Sequence, residues 1–288
     1  MPPRKKITAK KRGVKPSGFK LPTEPSFVAT SITDYITMFY GPPGVGKTTF
    51  VKDLGRVLFL STDRGTRFVS AMRVECHKFE DFMKVARALT KPGACKPYNM
   101  IAIDHVDDFA NICEDHVCDQ LGIEALSDAE YGKGWAAFRK TMHAYIQLLL
   151  KLDLGVVFIA HETIKTVRTK SIQLERTMPA LSKTAWNVLI PLCDLIGYCG
   201  FKSIKVGGKR QEVRVLITNP SESLYAKDRV TSRRRSEREL LDGAKFIQTF
   251  EGANPNGQES TKKGSEKGRR ARNSGRNVVA RGTRRRLG

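Results

Sequence analysis

The chain has 288 residues, six cysteines and a formal net charge of +22. It contains no apolar run of the roughly 18 residues that a membrane-spanning helix needs, and its basic N-terminus lacks the apolar segment of a secretory signal. Six cysteines in a chain of this length do not form a dense disulfide framework. We therefore expect reduced thiols, a cytoplasmic location and no contact with a membrane.

The positive charge is concentrated at the two ends of the chain. Residues 1–20 carry +8 and residues 252–288 carry +9, which leaves +5 for residues 21–251. Both ends are poor in apolar residues, so they cannot offset the entropy cost of ordering. The composition predicts a disordered basic arm over 1–25, a globular core over 26–251 and a disordered basic tail over 252–288. Charge of one sign clustered in arms favours polyanion binding over a role in solubility or localisation.

The first predicted strand, over about residues 35–40, leads into a glycine-rich stretch with the sequence GPPGVGKT. This stretch fits G-x-x-x-x-G-K-[ST] at every position, a pattern typical of a loop whose backbone N–H groups surround phosphates. Lys47 can reach the β- and γ-phosphates, Thr48 can bind Mg²⁺, and a helix is predicted over Lys47 to Leu54. ATP and Mg²⁺ are the predicted cofactors. The predicted nucleotide-binding residues are Gly41, Pro42, Pro43, Gly44, Val45, Gly46, Lys47, Thr48 and Thr49.

Strands and helices alternate along the rest of the chain. Apolar runs predict buried strands at 57–61, 100–103 and 155–160, and helical spacing predicts helices at 79–89, 106–121, 135–152 and 181–189. Residues 195–206 and 212–218 are alternating runs joined through two glycines, which predicts an antiparallel hairpin. The sequence therefore predicts an α/β fold with a mostly parallel central sheet, flanking helices and a C-terminal antiparallel hairpin.

Each predicted buried strand is followed by a polar residue at its carboxyl end, and ligands of parallel sheets bind at the carboxyl ends of the strands. Asp104 follows four apolar residues and is predicted to hold Mg²⁺, the alternative being a cap for the next helix. Asp63 is the first candidate to orient an attacking water and Glu162 the second, and either could instead be a turn or capping residue. His161 is a candidate sensor of the γ-phosphate, or a structural histidine.

The four segments GPPGVGKT, LFLSTDRG, MIAIDHVDD and VVFIAHE occur in this order and resemble the RecA-like ATPases encoded by phages. Those proteins are core-only relatives of RecA and RadA, and some act in single-strand annealing and recombination. The resemblance covers about residues 33–230 and implies a RecA-like P-loop NTPase core. It implies that Asp63 stands where these relatives usually carry a catalytic Glu, and that His161 stands at the position of a polar sensor.

The resemblance also implies two contacts outside the nucleotide. Residues 163–179 fall where RecA places a DNA-binding loop, and their basic side chains suit phosphate contact; these are Lys165, Arg168, Lys170 and Arg176. Residues 226–229 resemble the K-x-R element of RecA-like hexamers and filaments. Arg229 would then be an arginine finger for a neighbour's ATP in a homo-oligomeric ring or filament, the alternative being a basic strand end.

The leading hypothesis is a DNA-stimulated ATP hydrolase that binds single-stranded DNA in recombination, annealing or replication, in the host cytoplasm if phage-encoded. A second hypothesis is a nucleotide-dependent DNA-binding or annealing protein that does not hydrolyse ATP, because Asp63 is one methylene shorter than Glu. A third is a P-loop nucleoside or nucleotide kinase, in which residues 163–179 would form a substrate lid.

Overall fold

The computed structural model describes residues 31–63, 65–168, 173–206, 209–230 and 239–252, together with Thr23. The predicted basic arm and basic tail lie outside these residues apart from Thr23 and Gly252, and so does Lys170. No helix within the described ranges is long and apolar enough to cross a membrane.

A nine-stranded sheet forms the centre of the fold, and two further strands form a small sheet of their own. In chain order the strands are β1 Ile36–Tyr40, β2 Val57–Ser61, β3 Met72–Glu75, β4 Met100–Asp104, β5 Gly155–Ala160, β6 Glu162–Arg168, β7 Gln173–Pro179, β8 Leu195–Val206, β9 Lys209–Ile217, β10 Lys227–Asp228 and β11 Glu239–Leu240. The large sheet has the order β11-β9-β8-β1-β5-β4-β2-β3, and β10 pairs with β8.

The large sheet is mostly parallel, as predicted. All neighbours from β8 to β3 pair in parallel, whereas β8 with β9, β8 with β10 and β9 with β11 are antiparallel pairs. The predicted C-terminal antiparallel hairpin is confirmed as β8 and β9. Strand β5 lies between β1 and β4, so the strand before the phosphate loop and the strand that ends in Asp104 are not neighbours.

Helices cover both faces of this sheet. They are α1 Lys47–Lys52, α2 Phe79–Leu89, α3 Val106–Leu121, α4 Lys133–Leu150, α5 Lys183–Leu189 and α6 Gly243–Gly252. Side chains of α2 to α5 share one core with Met38 and Tyr40 of β1, while α1 and α6 share the other core with Phe39. This division follows from the two-residue period of a strand, which sends neighbouring side chains to opposite faces.

The segment from 163 to 179, which the resemblance places at a DNA-binding loop, contains two paired strands. It forms an antiparallel hairpin of β6 and β7, in which Lys165 pairs with Arg176 and Val167 pairs with Leu174. The hairpin belongs to no part of the large sheet. Charged and hydroxyl side chains interrupt its apolar positions, and this interruption conceals the alternation that indicates a strand.

The elements β3, β11 and α6 were not predicted from the sequence. Strand β3 is the edge of the large sheet, and its apolar residues Met72 and Val74 are 40% and 38% exposed. Strand β11 has only two residues. Helix α6 contributes one large buried side chain, Phe246, whose ring packs edge-on against Phe39 and Phe50.

Candidate nucleotide-binding site

The glycine-rich loop joins β1 to α1 at the carboxyl edge of the sheet. Gly44 and Gly46 have φ of 76° and 97°, a region of backbone conformation that strains residues with a Cβ. A Cβ at Gly41 would lie 2.0 Å from the carbonyl oxygen of Cys199 in β8, so only glycine fits there. The loop is thus fixed by its own glycines and by close approach to the neighbouring strand.

Lys47 lies inside this loop and is 5% exposed. Its Nζ donates hydrogen bonds to the carbonyl oxygens of Gly41, at 2.8 Å, and Pro42, at 3.0 Å. Burial lowers the pKa of Lys47, and the surrounding acidic groups, including Asp104, act in the opposite direction. The ammonium therefore lies within the loop, close to the position that a nucleotide phosphate occupies in loops of this pattern.

Thr48 and Asp104 form a hydroxyl–carboxylate pair across the sheet edge. The Thr48 hydroxyl donates a 2.8 Å hydrogen bond to Asp104 Oδ2. Asp104 is 1% exposed, and its other oxygen, Oδ1, has no hydrogen-bond partner among the residues that the structure describes. Burial raises the pKa of Asp104, while His105 and Thr48 favour its charged form. Hard oxygen ligands with one oxygen unsatisfied fit Mg²⁺, which would be held by Thr48 and Asp104 together with phosphate.

Asp104 is not the cap of α3, since His105 occupies that position and Asp104 ends β4. The His105 ring was not predicted to belong to the site. Its Nε2 lies 3.3 Å from Asp104 Oδ1, and its ring centroid lies 3.9 Å from that of His161. The only signal of His105 in the sequence is its position directly after Asp104.

His161 follows the end of β5 and is held by one carboxylate of α3. Asp107 accepts a 3.1 Å hydrogen bond from the His161 backbone N–H, and its Oδ2 lies 2.7 Å from His161 Nδ1. These two contacts fix the orientation of the imidazole, so its other nitrogen is available to a ligand at the strand ends.

A cavity of about 310 Å³ brings most of the predicted site residues together. Its walls include Asp63, His105 and His161 beside the phosphate loop. The Asp63 side chain is 43% exposed, and its Oδ2 lies 3.8 Å from His105 Nδ1. The full lining is Pro43, Gly44, Gly46, Lys47, Thr48, Thr49, Asp63, Val69, His105 and His161.

Glu162, the second candidate to orient water, does not line this cavity. It lies beside Tyr198, and burial together with Glu162 raises the pKa of Tyr198 to about 12. One carboxylate oxygen of Glu162, Oε2, is buried and has no hydrogen-bond partner within the described ranges. The position of Asp63 in the cavity wall favours Asp63 over Glu162 for contact with a bound nucleotide.

Three of the predicted DNA-binding residues, Lys165, Arg168 and Arg176, lie in β6 and β7, and β6 follows His161 directly, while Lys170 lies outside the described residues. Lys165 Nζ donates to the carbonyl oxygen of Leu181, and the Arg176 guanidinium lies 5.1 Å from the centre of the Tyr225 ring. Arg168 ends β6, and its side chain lies outside the described part of the chain. Two of the four basic residues therefore also contact the protein itself.

Arg229 is far from the phosphate loop of its own chain. It follows β10, which pairs with the start of β8, and its N–H donates to the carbonyl oxygen of Asp194. The start of β8 lies beside the start of β1, whereas the phosphate loop follows the end of β1. Arg229 thus lies near the amino ends of β1 and β8, whereas the cavity lies at the carboxyl ends of the parallel strands.

Comparison with known proteins places this fold in a family. Residues 33–230 match the family model AAA_24, described as an AAA domain. The chain is also 29% identical over 140 residues to the SPbeta prophage-derived uncharacterized protein YorG of Bacillus subtilis (strain 168). That match covers 47% of this chain and 43% of the relative, so the chain spans less than half the length of the relative it matches. The family match covers the phosphate loop and all four strand ends, and the chain therefore belongs to the AAA domain family AAA_24, with the α/β fold of a P-loop NTPase.

Proposed function

We propose that this chain is a RecA-like ATPase that binds single-stranded DNA in recombination, annealing or replication. One observation carries the proposal: Lys47, Thr48, Asp63 and His161 line one cavity, Asp104 accepts a hydrogen bond from Thr48, and the β6–β7 hairpin begins at the next residue after His161. A nucleotide-dependent change at His161 would therefore reach the hairpin through a continuous piece of chain.

Each residue has one part in this proposal. Lys47 and the loop N–H groups bind the phosphates, and Thr48 and Asp104 hold Mg²⁺, which neutralises developing charge on the phosphates. Asp63 orients the attacking water, and His161 contacts the γ-phosphate while Asp107 fixes its ring. Arg229, near the amino ends of β1 and β8, contacts the nucleotide of a neighbouring subunit in a ring or filament.

The RecA-like type is supported by the order along the chain of the four segments at the ends of β1, β2, β4 and β5. The prophage-derived origin of the relative in Bacillus subtilis is in keeping with a phage protein that acts in the host cytoplasm. A protein that binds nucleotide without hydrolysis is the second candidate, because the half-exposed Asp63 carboxylate is one methylene shorter than the Glu of RecA relatives.

An ATPase assay with and without single-stranded DNA tests the proposal. We expect phosphate release that DNA stimulates, and we expect Lys47→Ala to lower it at least about tenfold because it removes charge-assisted hydrogen bonds. Lys52→Ala is the matched control, since Lys52 lies on the same helix with its side chain 40% exposed. ATP binding without turnover would favour the second candidate, phosphoryl transfer to a nucleoside would favour a kinase, and full activity of folded Lys47→Ala would contradict all three.

A further inference from the structure

The nucleoside end of a bound nucleotide has a defined direction in this fold. The groups that suit Mg²⁺ and the γ-phosphate, Asp104 and His161, follow β4 and β5 on one side of β1. The loop that would bind the phosphates follows β1 itself. A triphosphate with its γ-phosphate toward β4 and β5 therefore directs its sugar and base toward β8 and β9, on the other side of β1.

The β8–β9 hairpin extends past the phosphate loop in this direction. Gly41 contacts the backbone of Cys199, and the next residue of β8 on the same face is Phe201. Phe201 pairs directly with Arg214 of β9, so both side chains lie on one face of the hairpin. It is the face of α1, because the neighbouring pair on that face, Cys199 and Leu216, packs in the core with α1.

Neither side chain of this pair belongs to the hydrophobic core. Phe201 is 47% exposed, although it is a large apolar residue. Nη1 of Arg214 lies 3.1 Å from the point that a Cβ of Gly46 would occupy, so the guanidinium borders the phosphate loop. Among the described residues, none forms a hydrogen bond or ion pair with this guanidinium. A guanidinium without a partner in the described part of the chain and an exposed ring thus lie side by side next to the loop.

We propose that Phe201 and Arg214 form the nucleoside subsite of this protein, with the Phe201 ring stacked on the nucleobase and the Arg214 guanidinium on the phosphate nearest the sugar. The proposal rests on the proposed nucleotide binding and adds the residues that distinguish a nucleotide from a bare polyphosphate. Aromatic rings stack on bases of any kind, and an arginine supplies charge to phosphate, so the pair has the two chemistries that a nucleotide presents at this end.

Isothermal titration calorimetry with ATP and with inorganic tripolyphosphate, each in the presence of Mg²⁺, distinguishes contacts to the base from contacts to the phosphates. We expect Phe201→Ala to lower the affinity for ATP at least about fivefold, because it removes base–aromatic stacking. The affinity for tripolyphosphate should not change. Arg214→Ala should weaken both ligands, because it contacts phosphate. Arg210→Ala is the matched control: Arg210 is an exposed residue on the same face of β9, about 13 Å farther along the strand.

A second variant keeps the test independent of a folding defect. In Phe201→Trp the stacking ring is retained, so ATP should bind within about twofold of the parent and change the indole emission, whereas tripolyphosphate should not change it. Equal affinity of the parent protein for ATP and tripolyphosphate, or normal ATP binding by Phe201→Ala, would overturn the subsite and leave the phosphate loop assignment standing. Failure of the parent protein to bind either ligand would instead remove the proposed function, and the subsite with it.

Discussion

Asp104 combines a cost in stability with its proposed function. The carboxylate is 1% exposed, and among the described residues its Oδ1 has no hydrogen bond and only the His105 ring, at 3.3 Å, beside it, so its charge is costly to bury. Asp104→Asn should therefore raise the melting temperature of the protein in buffer free of Mg²⁺ and nucleotide. The same change should lower Mg²⁺-dependent turnover at least about tenfold, because it removes a charged metal ligand.

Thermal unfolding and a Mg²⁺ titration of ATP turnover measure these two effects on the same protein. Asp115→Asn is the control, because it removes an exposed carboxylate from the same helix, α3, away from the Asp104 site. An unchanged Mg²⁺ requirement in Asp104→Asn would count against Asp104 as a metal ligand.

The role of Asp63 can be tested by changing the length of its side chain as well as its charge. Its carboxylate lines the cavity and lies 3.8 Å from His105 Nδ1, beyond direct hydrogen-bond distance. If the Asp63 carboxylate orients the attacking water but lies slightly too far from it, Asp63→Glu should preserve or raise turnover. Asp63→Asn should lower turnover. Steady-state phosphate release measures both. Parent-like behaviour of both variants would make Asp63 a turn residue and would transfer the role to Glu162, to be tested as Glu162→Gln.

At the scale of elements, Tyr40 links the phosphate loop to the β6–β7 hairpin. It is the last residue of β1, and its hydroxyl lies 2.6 Å from the carbonyl oxygen of Tyr225 and 3.2 Å from that of Thr177 in β7. Burial raises the pKa of Tyr40, so the hydroxyl keeps its proton and remains a donor. The start of the phosphate loop and the second strand of the hairpin are thus joined through one side chain.

Tyr40→Phe should lower the free energy of unfolding by about 1 kcal/mol, because it removes the hydrogen bond to the Tyr225 carbonyl oxygen, whereas the Thr177 carbonyl oxygen still accepts from the Tyr225 N–H. DNA stimulation of turnover should fall more than turnover without DNA, since the hairpin loses its tie to the loop. Chemical denaturation and ATPase assays with and without DNA are the measurements, and Tyr131→Phe, at a side chain 95% exposed, is the control. Unchanged DNA stimulation would show that the hairpin and the loop are not coupled through Tyr40.

Among the parallel strands, those that sequence patterns predicted have apolar residues buried on both faces of the sheet. Strands β2 and β4 are buried throughout, and the polar residue that ends each is visible in the sequence. Strand β3 was missed because its apolar side chains are partly exposed at the sheet edge. The Phe201–Arg214 pair was missed for another reason: only the register of β8 against β9 brings the two residues together, and register is a tertiary property.

At the scale of the whole molecule, most of the charge lies in the predicted arm and tail. Removal of residues 253–288 deletes +9 of net charge and leaves α6 intact. We expect ATP turnover without DNA to survive and the affinity for single-stranded DNA to fall at low salt. The slope of log K against log salt should become shallower by about 0.7 for each DNA phosphate that the tail no longer neutralises, equally for all DNA sequences.

Fluorescence anisotropy with labelled oligonucleotides at several salt concentrations measures that slope. A truncated protein with the salt slope of the full chain would show that the tail does not bind DNA. Lys165→Ala on the hairpin is the comparison variant, since it changes one charge and should reduce DNA-stimulated turnover as well as affinity.

Arg229 can be tested by mixing subunits. Arg229→Ala should lower turnover, and Lys47→Ala should be inactive, but a mixture should recover activity because some interfaces pair an intact loop with an intact Arg229. Phosphate release measured over a range of mixing ratios gives the result. Normal activity of Arg229→Ala, with no recovery at any ratio, would contradict a role in a neighbour's site.

The position of Arg229 has a consequence for how activity depends on assembly size. The cavity lies at the carboxyl ends of the parallel strands and Arg229 near the amino ends of β1 and β8, so a contact between them joins two different surfaces of neighbouring subunits. Such head-to-tail contacts give either a closed ring or an open filament. In an open filament, the cavity of one terminal subunit has no neighbour to contribute Arg229, so turnover per subunit rises with filament length. In a closed ring every cavity has such a neighbour.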